Sequence, residues 1–145
     1  PNMQNEPQVQ KWVDELQIGD SVELLPALTQ PQLAELYRKS QVVVSPATHD
    51  GTPNSLIEAL ACGCYPVAGD LESIREWITD GENGSLVDPN DPVQLANAII
   101  KALDEQERRT VARKINVEQI KKKADYVNGM DTARAFYETV MRSTI

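Results

Sequence analysis

Three consecutive valines, Val42 to Val44, stand between two segments whose apolar residues recur with helical spacing. A strand that is apolar at successive positions has both faces covered, as in a parallel sheet with helices on each side. The same alternation runs along most of the chain. Val9, Trp12, Val13 and Leu16 fall on one helical stripe, and Gly19 and Asp20 stop it before a strand-like stretch at residues 22–25. A second helix has Pro31 near its first turn and Leu33, Ala34, Leu36 and Tyr37 on its apolar side, and it leads into the valines. A helix at residues 53–62, a strand at 65–68, a short helix at 71–79 and a strand at 84–87 follow. Asp91 and Pro92 then open a helix with Leu95, Ala98, Ile99 and Ala102 in one stripe, and helical sequence continues to the end. Four strands alternating with helices predict an α/β fold on a parallel sheet.

At 145 residues the chain fits one domain with its own core. With 41% hydrophobic and 25% charged residues, and no apolar run near the roughly 18 residues of a membrane span, it is neither disordered nor membrane-embedded. A formal net charge of -8 argues against nucleic acid as a partner. The one basic cluster, Arg108, Arg109, Arg113, Lys114 and Lys121 to Lys123, reads as a solvated helix face. Cys62 and Cys64 flank Gly63, a spacing too tight for an ordinary zinc or redox motif, and are expected as buried reduced thiols. Without a signal-peptide pattern the expectation is a cytoplasmic location, and with Pro1 rather than Met at the start the further expectation is a fragment.

The chemistry concentrates in T-H-D-G-T-P-N-S-L-I-E, residues 48–58. In open α/β sheets ligands bind beyond the carboxyl ends of the strands, where the next helix offers unpaired N–H groups and the positive end of its dipole. Thr52 reads as the N-cap, Pro53 as the first helical residue, and Asn54 and Ser55 as amides for a phosphate. Glu58 lies one turn further along the same face, where a carboxylate can accept from two neighbouring hydroxyls and so grip a ribose. Asp50, before the helix tip, would meet whatever lies beyond the phosphates. Ordinary dipole stabilisation by acids near a helix start accounts for the same residues without a ligand.

The chain resembles the retaining glycosyltransferases of family 4, which have the GT-B fold of two Rossmann-like domains. The resemblance covers S-P-A-T-H-D-G-T-P-N-S-L-I-E-A-L-A-C-G, P-V-A-G-D, R-E-W-I-T-D-G-E-N-G-S-L-V-D-P and D-P-V-Q-L-A-N-A-I. It implies a Rossmann-like C-terminal domain, incomplete as a GT-B fold, that binds a nucleotide diphosphate sugar without a metal or other cofactor. Two acids seven residues apart mark the family's donor site, the spacing of Asp50 and Glu58. By resemblance, Asp50, Gly51 and Thr52 face the donor sugar, Asn54 and Ser55 the diphosphate, Glu58 the ribose, and the backbone near Leu28 the nucleobase. No catalytic residue is assigned to this chain. The resemblance places the N-terminal acceptor domain, and the Arg and Lys that neutralise the leaving diphosphate, outside it.

Three positions depart from the family's pattern. Asp50 stands where Glu is usual, a proline falls one position late at Pro66, and Glu72-Ser73 replaces a usual Gly-Gly. The last two are expected to change local packing only. His49 reads as an exposed loop residue, Arg75 and Glu76 as surface charges, Gly81, Asn83 and Gly84 as turn formers, and Trp12 and Trp77 as packing residues. Ala135, Phe136, Val140 and Met141 near the C-terminus are expected to leave an apolar strip exposed, with self-association as its consequence. Attachment to a membrane periphery in a longer protein, an epimerase or phosphorylase on the same scaffold, and a non-catalytic flavodoxin-like module all remain open at this point.

Overall fold

A parallel sheet of three strands organises Leu36–Ile145: β1 (Val42–Ser45), β2 (Tyr65–Gly69) and β3 (Ser85–Val87), in the order β1-β2-β3. Val42 pairs with Tyr65 and Val67 with Ser85, so β2 is central. The computed structural model describes residues 7–49, 51 and 53–143. The described residues up to Glu35 form a second unit, with α1 (Pro7–Glu15), a 3-10 turn at Gly19–Ser21 and the first residues of α2 (Gln30–Lys39).

The pleat of β2 sends alternate side chains to opposite faces, and each face has its own core. Tyr65 and Val67 pack with Val87, Ala102 and Ala112, flanked by Val42, Leu95, Ala98 and Ile99, so α5 (Pro92–Asp104) covers this face. Ala68 packs with Leu56, Leu60, Ile74 and Ile78, and here α3 (Asn54–Ala61) and α4 (Glu72–Arg75) form the cover. The 18-residue α6 (Gln106–Lys123) serves both, giving Ala112 to one and Ile120 to the other. Truncating Leu56 or Leu60, each 1% exposed, to alanine would cost about 2–5 kcal/mol.

Several expectations change. Residues 22–25 form no strand: Val22 is extended, with φ -125° and ψ 127°, but no ladder is formed with a neighbour, and a strand exists only through its ladder. The described sheet therefore has three strands, not four. Nor is the triple valine the strand covered on both faces. Val44 is 41% exposed on β1, whereas every residue of β2 is buried. The short helix ends at Arg75 rather than Thr79, because Asn83 Oδ1 accepts from the Thr79 amide at 2.7 Å and Asn83 Nδ2 donates to the Trp77 carbonyl at 2.9 Å. Trp12 is more than half exposed, since a 35-residue unit has little apolar surface for a second large side chain to pack on, while Trp77 packs against the core as expected.

Nor is the basic cluster simply solvated. Arg108 pairs with Glu105 at 2.9 Å and lies 5.9 Å from the Tyr65 ring centroid, and Arg109 donates to the Ala102 carbonyl at the end of α5. Asn83 and Asn116, both buried, exchange hydrogen bonds of 2.7 and 2.9 Å and tie the 79–84 turn to α6. Helix α7 (Tyr126–Ser143) exposes Phe136, Val140 and Met141, as expected of its apolar strip.

Candidate functional site

Beyond the carboxyl ends of β1 and β2 lies a cleft of about 650 Å³. Thr48, His49 and Gly51 line it from the loop after β1, and Leu71, Glu72 and Ser73 from the segment after β2. Two backbones meet at its root. A Cβ added to Gly69 would run into the Ala47 carbonyl oxygen and would lie 3.5 Å from Pro89 Cβ. Glycine at the end of β2 therefore lets the chain leaving β1 turn close over the sheet.

That chain leads into α3, whose start differs by one residue from the expectation. Pro53, at φ -73° and ψ 114°, is the N-cap, and the helix begins at Asn54. A proline ring fixes φ near this value but leaves ψ free, so it fits the cap as well as the first turn. The Pro53 carbonyl accepts from the amides of Leu56 at 3.0 Å and Ile57 at 3.2 Å. Pro53 has no side-chain acceptor, and no described residue accepts from the amides of Asn54 and Ser55. Both residues are exposed. The first turn of α3 thus presents N–H groups and the positive end of the dipole where an anion can reach them.

At its other end α3 is closed. Gly63, with φ +89°, donates to the Leu60 carbonyl and Cys64 to that of Ala59, both at 3.0 Å, which is the Schellman arrangement. The Cys64 thiol donates to the Tyr37 carbonyl at 3.1 Å, and burial pushes it up to about 11. Cys62 is free and only half-buried, against the expectation of two buried thiols, because as the C-cap residue it lies at the rim of the turn.

Glu58 is half-buried on α3, and Tyr37 is its neighbour: the phenol is raised above its ordinary value first by burial, then by the Glu58 carboxylate. The sequence reading placed Tyr37 only on an apolar helix face, since nothing in its spacing points across to another helix. Gly51 lines the cleft, and Asn54, Ser55 and Glu58 lie along the adjoining helix. Asp50 and Thr52 lie outside the described residues, and Leu28 belongs to the first unit, in the irregular segment before α2.

Four further residues are better defined than their spacing implied. His49 is exposed in the cleft wall, its Nδ1 3.2 Å from Thr48 Oγ1. Glu72 and Ser73, expected to change local packing only, both line the cleft; their place after the end of a parallel strand was the available signal. Arg75 grips Asp70 with two bonds of 2.6 and 2.8 Å, and the first of these contacts holds the carboxyl below its ordinary range. Among the described residues, no helix is long and apolar enough to cross a membrane.

Comparison with known proteins bears on this arrangement. A D-inositol 3-phosphate glycosyltransferase of Thermomonospora curvata is 38% identical over 101 residues, which are 70% of this chain and 23% of that protein. The chain spans about a quarter of the length of such relatives. Among solved structures, sucrose-phosphate synthase from Thermosynechococcus elongatus superposes with a TM-score of 0.87 at 24% identity, over 94% of this chain and 34% of that one. The Anabaena protein HepE, solved in complex with UDP-glucose, gives 0.79 at 19% identity, over 90% and 36%. The architecture is that of the C-terminal domain of a GT-B glycosyltransferase. The family model for glycosyl transferases group 1 matches residues 2–119, and the chain belongs to that family.

Proposed function

We propose that this chain is the donor-binding half of a retaining glycosyltransferase of family 4, which moves a sugar from a nucleotide diphosphate sugar to an acceptor hydroxyl. One observation carries the reading: in a chain of this family, the first turn of α3 has amides without a described acceptor and opens beside a cleft at the strand ends. Asn54 and Ser55 hold the diphosphate, and the ribose hydroxyls donate to Glu58. Gly51, with Asp50 and Thr52, faces the sugar, and the backbone near Leu28 faces the base. Tyr37 stands near Glu58, whose carboxylate charge adds to burial in raising the phenol.

Charge grows on the diphosphate as the sugar leaves, and the dipole of α3 stabilises it. The rest of that stabilisation, and the acceptor, come from an N-terminal domain. No metal or other cofactor is required of these residues. A cytoplasmic location accords with a nucleotide-sugar donor, and the exposed apolar residues of α7 support self-association. Calorimetric titration with UDP, GDP and ADP tests the reading: one of the three binds, and Glu58→Ala weakens it by at least tenfold. Absence of binding to all three overturns it.

A further inference from the structure

We propose that Glu72 sets the charge class of the sugar this cleft accepts, admitting neutral hydroxylated sugars and disfavouring those that carry a carboxylate. The proposal rests on the reading of the cleft as a nucleotide-sugar site. Glu72 and Ser73 form one wall of the cleft, and Thr48, His49 and Gly51 line it from the loop after β1.

Among the described residues lining or flanking the cleft, the charges do not cancel. Asp70 and Arg75 are joined by two hydrogen bonds and neutralise each other. Thr48, Gly51, Leu71 and Ser73 carry no charge, and His49 adds none in its neutral form. Of these described residues Glu72 brings the negative charge that no pair cancels, and it adds to that of Asp50, the acid the proposed reading sets against the same sugar. Glu72 is exposed, so it accepts readily from hydroxyl groups, and its repulsion of a second carboxylate brought into the cleft is moderated by water and salt.

The wall is also anchored, which discrimination by a single charge requires. The Leu71 carbonyl accepts from the amides of Ile74 and Arg75, and Ile74 and Ile78 are buried in the core. The next turn is tied to α6, because the Glu76 carbonyl accepts from Gln119 at 3.2 Å and from Lys123 at 3.0 Å. The Glu72 backbone thus cannot swing away from an unfavourable ligand without breaking these contacts.

The test titrates the 145-residue chain with the glucosyl and glucuronosyl esters of whichever of UDP, GDP or ADP binds, alongside that nucleotide alone. The wild-type chain should prefer the glucosyl ester. The preference should narrow by about tenfold, or 1.4 kcal/mol, in both Glu72→Gln and Glu72→Gly. Affinity for the bare nucleotide should change far less, since Glu72 shares its cleft wall with Gly51, which the proposed reading sets against the sugar. Added salt should narrow the wild-type preference more than that of Glu72→Gln. The same preference in all three proteins would overturn the role of Glu72 while leaving the donor site intact. Failure of all three nucleotides to bind would overturn that site and this proposal together.

Discussion

Helices α3 and α5 both start beside a proline, yet their first turns are completed differently. In α5 the N-cap is Asp91, whose carboxylate accepts from the amides of Val93 at 3.0 Å and Gln94 at 2.9 Å, and Pro92 has no N–H to satisfy. In α3 the proline is itself the N-cap, with no side-chain acceptor, and the amides of Asn54 and Ser55 find none among the described residues. One start is finished by its own cap residue, and the other has no acceptor among the described residues. The segments leading into the two helices meet at Gly69, between Ala47 on the way to α3 and Pro89 on the way to α5. Two helix starts of similar sequence thus differ in how they are capped, since a carboxylate fills the first turn of α5 and the α3 cap residue brings no side-chain acceptor.

The largest effect on this contrast should come from Gly69→Ala. The new Cβ overlaps the Ala47 carbonyl but makes only ordinary contact with Pro89, so the segment leading into α3 moves and that leading into α5 stays. Overpacking of this kind costs about 1–3 kcal/mol, readable by urea denaturation, with amide shifts concentrated in residues 46–58. Next comes Ser55→Glu, which brings an acid to the open turn. Binding of the preferred nucleotide should weaken by about tenfold or more, while thermal stability holds or rises by up to about 1 kcal/mol. The reverse holds for Asp91→Ala, which removes a cap and should cost about 1 kcal/mol of stability without changing nucleotide affinity.

The smallest effect concerns the closed end of α3. The Cys64 thiol is raised to about 11 in the folded chain, so the unfolded chain loses this proton first as pH rises. Stability from the buried neutral thiol is therefore complete below about pH 8.5, the ordinary thiol value, and declines between there and pH 11. Denaturation midpoints measured across that window should fall for the wild-type chain, and Cys64→Ala should remove this part of the slope.

The helices and the strands at 65–68 and 84–87 were legible because burial imposes a period on their side chains, as in the stripe of Leu95, Ala98, Ile99 and Ala102. Strand rank was not. Val42 to Val44 are the most strand-like residues in the chain but lie on β1, which has one described neighbour, whereas Tyr65 and Pro66 lie in the fully buried central strand. Apolar character indicates burial but does not determine which strand gains two neighbours. Residues 22–25 failed for a related reason, since an extended backbone forms a strand only where a partner lies alongside.

At the candidate site, the open helix tip and the position of Glu58 one turn along it could be read from local spacing, whereas Gly51 entered through the family resemblance. The wall at Glu72 and the neighbour Tyr37 could not, because each reaches the site through contacts between elements distant in sequence. The residue count at the cap shifted by one because proline suits both positions.

The central claim is that the first turn of α3 seats a diphosphate, and backbone amide spectra of the isotope-labelled chain address it directly. On titration with UDP, GDP and ADP in turn, one nucleotide should shift the Asn54 and Ser55 amides strongly and leave those of Val93 and Gln94 in place. Binding that moves the amides of α5 and leaves those of α3 unchanged would contradict the account.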